Sequence, residues 1–217
     1  TNARLAWTNG RDADPDAVAA CRDGCDGLDG ISRERIGQEL RKLLMAPDPL
    51  PAVRLMQDTG VLDKVLPGAT PNRLHALPSP APWLARLAAL SQADLSDALR
   101  LSRADARDHR ILVTALAENW SFNRIAYRLH GDLANAAAAL VQTAGPRPGW
   151  PDAQAAARAL PITASDLQPH LQGPALGRGL KAAEDAWIES GFAMPPPALI
   201  DIAQILSVER IAPFSTS

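Results

Sequence analysis

The chain has 217 residues, 47% of them hydrophobic, and a formal net charge of -2. That apolar content suffices for a buried core in one large domain or a few small helical ones, while a sequence pI of about 6.1 excludes a uniformly basic, nucleic-acid-coating surface. No run reaches the roughly 18 uninterrupted apolar residues of a membrane span, and the polar start TNARLAWTNGRDAD lacks a secretory core, so a cytoplasmic protein without membrane contact is expected.

Alternating Val, Ile and Thr runs are missing, whereas Ala, Leu and Arg dominate segments punctuated by Pro, Gly and Asp. This pattern predicts an all-α fold, an elongated multi-helix bundle. Asp14 and Pro15 supply a cap and first-turn proline for a helix toward Leu28 that carries Val18, Cys21, Cys25 and Leu28 at helical spacing. The cysteines then read as small core hydrophobes from one helix face, since neither His nor Cys supplies further metal ligands nearby. Ser32 caps the next helix, ISRERIGQELRKLL, whose apolar stripe is Ile36, Leu40, Leu43 and Leu44, and Pro47 and Pro49 end it. A helix from about Pro51 closes at Gly60 and is followed by the apolar clip VLDKVLPG.

The proline-rich stretch from Asn72 to Pro82 reads as a loop, and PWLARLAAL as a short buried helix. Ser102 with Asp105 opens RADARDHRILVTALAE, Ser121 and Gly131 open two more helices, and QTAGPRPGWP is a second linker. Thr163 with Asp166 makes another capping box. Gly173 and Pro174 then open a helix that stops at Gly191, and PPPALIDIAQILSVERI forms the last.

Few chemical constellations survive inspection. Asp12, Asp14 and Asp16 alternate in a Gly- and Pro-flanked loop where Asp14 already serves as a cap, which argues against a metal pair. His75, His109, His130 and His170 are scattered, and no Ser-His-Asp or Cys-His set emerges, so no catalytic and no metal residue is assigned. In GPALGRG the glycines at 173, 177 and 179 follow no strand and fit close helix packing better than a phosphate-cradling loop, although Arg178 and Lys181 follow the open N–H groups of that helix start. Arg100, Arg103, Arg107 and Arg110 recur at spacings of three, four and three, which makes them phosphate candidates.

The segments ISRERIGQELRKLL and RLMQDTGVLDKVLP resemble the class II bacterial CCA-adding tRNA nucleotidyltransferase and poly(A) polymerase family. The match rests on its neck motif, here Ser32, Glu34, Arg35, Ile36, Glu39, Leu40, Lys42, Leu43 and Leu44. PITASDLQPHLQGPALGRGLKAAEDAWIESGF is similar to the family's tail segment. The resemblance implies a division into neck and start of body (1–71), body (72–150) and tail (151–217). It also implies a transferase whose catalytic head uses Mg2+ with CTP and ATP, but none of the head's motifs (Gly-Gly-x-x-Arg-Asp, a metal-pair Asp-x-Asp on a sheet, Arg-Arg-Asp-Phe, Glu-Asp-x-x-Arg) occurs in this sequence. The expectation is therefore an inactive helical region, without a cofactor of its own, that holds the acceptor and TΨC arm of tRNA or a tRNA-like RNA for the head domain of the same protein. In the neck motif, Glu34, Arg35, Glu39 and Lys42 read first as helix-surface ion pairs orienting that head. The rival expectation is a headless protein-interaction or oligomerisation module, using tryptophans among positions 7, 83, 120, 150 and 187 as anchors. A helix-turn-helix DNA reader is weaker, because PALGRGLKAAEDAW offers few base-reading side chains.

Overall fold

The computed structural model describes residues 15–78, 80–168 and 170–208, and every regular element among them is a helix. The all-α expectation therefore holds for these residues. Asp12, Asp14 and Trp7 lie outside them, as do Glu209 to Ile211 of the last helical segment.

The chain divides into two compact units that interleave in sequence. One takes the described residues through Trp120 and then Gly131–Arg147; the other takes Ser121–His130 and the described residues from Pro148 onward. In the first unit, α1 (Pro15–Asp23) is followed by a 3-10 turn (Cys25–Gly30), then α2 (Arg33–Leu44), α3 (Leu50–Asp58) and α4 (Val61–Val65). A second 3-10 turn (Pro71–Ala76) leads to α5 (Trp83–Leu90) and α6 (Arg103–Ala117). The second unit takes α7 (Phe122–Arg128), the first takes α8 (Gly131–Val141), and the second is completed by α9 (Trp150–Ala156), α10 (Ala164–Leu167), α11 (Gly173–Glu189) and α12 (Pro196–Val208).

The structure differs from the sequence reading in the first helix and in two stretches read as connections, of which QTAGPRPGWP holds a 3-10 turn (Gln142–Ala144) and the start of α9. The first helix stops at Asp23 rather than reaching Leu28, because Gly24 and Gly27 cost helix propensity; Gly24 N–H closes on Ala20 O at 2.9 Å and a 3-10 turn begins. The stretch from Asn72 is not wholly a loop, since Pro71 starts a 3-10 turn that buries Leu74 in the core.

The predicted caps at Ser32, Ser102 and Thr163 form. Ser32 Oγ accepts from Arg35 N–H at 3.3 Å, Ser102 Oγ accepts from Asp105 N–H at 3.1 Å while donating to its carboxylate at 2.7 Å, and Thr163 N–H donates to Asp166 at 2.7 Å. The first core gathers Leu44, Val53, Leu62, Leu66 and Leu87, all essentially buried. The second gathers Leu167, Trp187, Phe192 and Leu199 where α11 packs on α12. There a Cβ on Gly179 would stand 2.9 Å from Ala203 O, so close helix packing is the reason for that glycine, whereas Gly177 faces open space.

Inside the first unit, α2 lies against the segment that leads into α6. A Cβ on Gly37 would stand 2.1 Å from the Leu99 carbonyl oxygen, so the two backbones can meet only at glycine. One turn on, the Arg41 guanidinium lies 4.7 Å from the centre of the Trp83 ring and 3.5 Å from the Asp105 carboxylate. These contacts fix the helix of the neck motif beside the arginine-bearing helix.

Candidate functional site

Four arginines that sequence spacing singles out come together on the first unit. Arg100, Arg103, Arg107 and Arg110 line one shallow depression of about 450 Å³ with Ser96, Asp97, Leu101 and Ala106. Positions 103, 107 and 110 share a face of α6 by helical period, and all four arginines are exposed. Arg100 precedes the helix and reaches the same surface through a turn: Leu99 N–H closes on Leu95 O at 3.0 Å and Leu101 N–H on Ser96 O at 3.0 Å. The turn holds Arg100 at φ 48°, the left-handed region where glycine is the usual occupant. A side chain there costs on the order of 1–2 kcal/mol.

The depression is not purely basic. Asp97 lies 3.5 Å from Arg100, and Asp108 lies 2.8 Å from Arg107, whereas no ion pair of Arg103 or Arg110 occurs among the described residues. No aromatic side chain lines it. Asp94 sits nearby, its carboxyl held below the usual range by the Ser96 hydroxyl and N–H, with smaller help from Arg110 and His109.

Behind this surface His109 is 3% exposed, with Nε2 lacking a hydrogen-bond partner. Burial pulls its pKa below the ordinary value, partly offset by a hydrogen bond to the Ser91 backbone and by Asp94. A base whose folded-state pKa is depressed contributes stability that is present above its unfolded pKa, near 6.5, and lost as pH falls through the folded value. Urea melts between about pH 7 and pH 5 should show stability declining with acid, and His109→Gln should flatten that decline.

The neck-motif residues lie on α2. Lys42 Nζ is 2.8 Å from Glu39, as the ion-pair reading expects, but Glu34 accepts from Gln38 at 3.3 Å instead of pairing with a cation there. Arg35 and Glu39 edge a different feature, an apolar cavity of about 490 Å³ lined by Cys21, Cys25, Leu40 and Met56 among others. Both half-buried cysteines thus share one wall-lining role, although only Cys21 is on the helix.

On the second unit, Arg178 is half-buried and its Nε has no hydrogen-bond partner, while Lys181 pairs with Asp185. Trp120 and Trp187 are buried and Trp83 and Trp150 half-buried, so none of these four stands out as an exposed anchor. The described residues contain no group of three His, Cys, Asp or Glu able to hold a metal ion, and no helix long and apolar enough to cross a membrane.

Sequence spacing gave no sign of Arg86. It is 5% exposed in α5, and its Nη1 donates to Leu44 O at 2.6 Å and Ala46 O at 2.5 Å, with Nη2 donating to Pro47 O at 3.2 Å. A buried guanidinium thereby caps the C-terminal end of α2, satisfying carbonyls that the helix itself leaves open.

Residues 12–72, which hold α1 to α4, match the family model described as "Probable RNA and SrmB- binding site of polymerase A". This segment is similar to the RNA-binding region of the poly(A) polymerase and CCA-adding enzyme family. The neck motif lies within the matched residues. No curated protein matches the chain closely enough to count as a relative. The arginine depression at 96–110 falls outside the matched segment of the RNA-binding region, yet Gly37 and Arg41 tie the two together.

Proposed function

We propose that the chain is the helical RNA-holding region of a tRNA nucleotidyltransferase or poly(A) polymerase, and that it grips the acceptor and TΨC arm of tRNA, or a tRNA-like arm, for a catalytic head of the same protein. The observation that carries this reading is the depression with four arginines and no aromatic lining, docked beside the matched RNA-binding segment. Single strands are held by stacking their bases on aromatic platforms, whereas duplex RNA is met through its phosphates and shape. Arginines without rings suit the second kind of partner.

From Arg103 to Arg110 the helix rises about 10 Å, comparable with three phosphate-to-phosphate steps of roughly 3.4 Å along the axis of one duplex strand. Such contacts set register without reading sequence, which suits an enzyme that finishes every tRNA alike. Nucleotide transfer with Mg2+, CTP and ATP would belong to the head in a cytoplasmic enzyme; the donors among the described residues do not fit a metal site, and no step of that chemistry is assigned to this chain.

A second reading has its own observation. The apolar cavity from Ala20 to Val65 lies wholly within the matched segment, whose description names SrmB as well as RNA as what it binds. A protein-docking role there is compatible with RNA on the arginine surface.

Fluorescence anisotropy with a labelled acceptor-TΨC stem-loop and a length-matched A-rich single strand tests the main reading. Tighter binding of the stem-loop, without nucleotide incorporation by the chain alone, is the expected result. Preference for the single strand, or no RNA binding at low salt, would overturn it.

A further inference from the structure

Arg33 opens α2, and its side chain is exposed, with no ion pair among the described residues. It is not one of the residues that define the neck motif, and it does not line the arginine depression. We propose that Arg33 carries the phosphate-binding surface from the α6 depression onto the neck helix, so that one strand of a duplex RNA is held by both elements at once. This rests on the RNA-holding reading above and adds a contact that it does not require.

Residues 33, 37 and 41 form one stripe of α2, four residues or about 6 Å of rise apart. The stripe's direction is fixed at two points, with Gly37 against the Leu99 carbonyl and Arg41 against Asp105. Going back along α2 from 41 to 37 therefore goes back along the neighbouring segment from 105 to 99. Continued one turn further, that direction leads from Gly37 to Arg33 past the level of Leu99 and toward the Ser96–Arg100 turn that forms one end of the depression.

The three positions differ in what they leave available. Gly37 has no side chain, and Arg41 is engaged by Asp105 and the Trp83 ring. Arg41 is itself about half exposed but already engaged, so Arg33 is the member of the stripe whose cation meets solvent without an ion pair among the described residues. At that end of the depression Arg100 is paired with the highly exposed Asp97, so an added guanidinium restores net positive charge where the arginine series is weakest. The other turn neighbour on α2, Glu34, is hydrogen-bonded to Gln38.

Arg33→Gln and Arg33→Lys in the full chain, titrated with the labelled stem-loop across a salt series, test the assignment. Arg33→Gln should weaken binding three- to ten-fold at low salt and reduce the slope of log K against log salt by about one, the signature of one lost phosphate contact, with Arg33→Lys retaining most of the slope. An unchanged slope in Arg33→Gln, alongside a reduced slope in Arg103→Gln, overturns the extension and leaves the RNA-holding reading standing. Unchanged slopes in both variants overturn the reading and the extension together.

Discussion

Replacing Arg86 with Met should destabilise the first unit by about 3 kcal/mol, because it strands helix-end carbonyls that a charged donor satisfies. Methionine keeps the apolar stem volume, so the loss isolates the guanidinium rather than a cavity. Leu44 O is the costliest acceptor, since Leu44 is fully buried, whereas Pro47 is exposed and its carbonyl can turn to water. Burial pulls the Arg86 pKa below its ordinary value and Asp48 opposes the shift, but a guanidinium starts so high that it stays charged. Lysine at 86 should recover only part of the loss, as its single ammonium cannot fork toward the Leu44 and Pro47 oxygens together. Urea unfolding followed by tryptophan fluorescence, where Trp83 and Trp120 report on this unit, checks the prediction. A change below about 0.5 kcal/mol would mean that water caps α2 as well as Arg86 does.

The double variant Arg103→Glu, Arg107→Glu should weaken stem-loop binding about 100-fold at low salt, through two lost phosphate contacts and two new repulsive charges. Both side chains are exposed, so the fold should survive, which a thermal melt verifies. Asp108 complicates Arg107, whose Nε and Nη2 both lie within 2.9 Å of it. Phosphate must displace that carboxylate or share the guanidinium with it, whereas Arg103 has no such competitor among the described residues. Arg103→Glu alone should therefore account for more than half of the loss in binding free energy.

Much of this architecture is legible locally. Ser32, Ser102, Ser121 and Thr163 each mark a helix start, because a hydroxyl before an apolar periodic run meets the open N–H groups of the first turn. The 3-4-3 arginine spacing likewise implies one face, although Arg100 reaches it through a left-handed turn that no helical period foretells. The features that lock the unit together are nonlocal. Arg86 sits in an Ala- and Leu-rich octet and finds its acceptors 39 to 42 positions earlier, so nothing around it in sequence shows its role. Gly37 reads as a propensity cost inside a helix until Leu99 is seen against it. His109, read as one of several scattered histidines, proves to be buried behind the arginine face.

The slope of log K against log salt for the acceptor-TΨC stem-loop tests the central claim most directly. The four arginines of the depression should contribute about -3 to -4 to the slope of the native chain, with about half of that contribution left in the Arg103→Glu, Arg107→Glu variant. A slope near zero, or one that the double variant leaves unchanged, would contradict the claim that the α6 depression holds RNA.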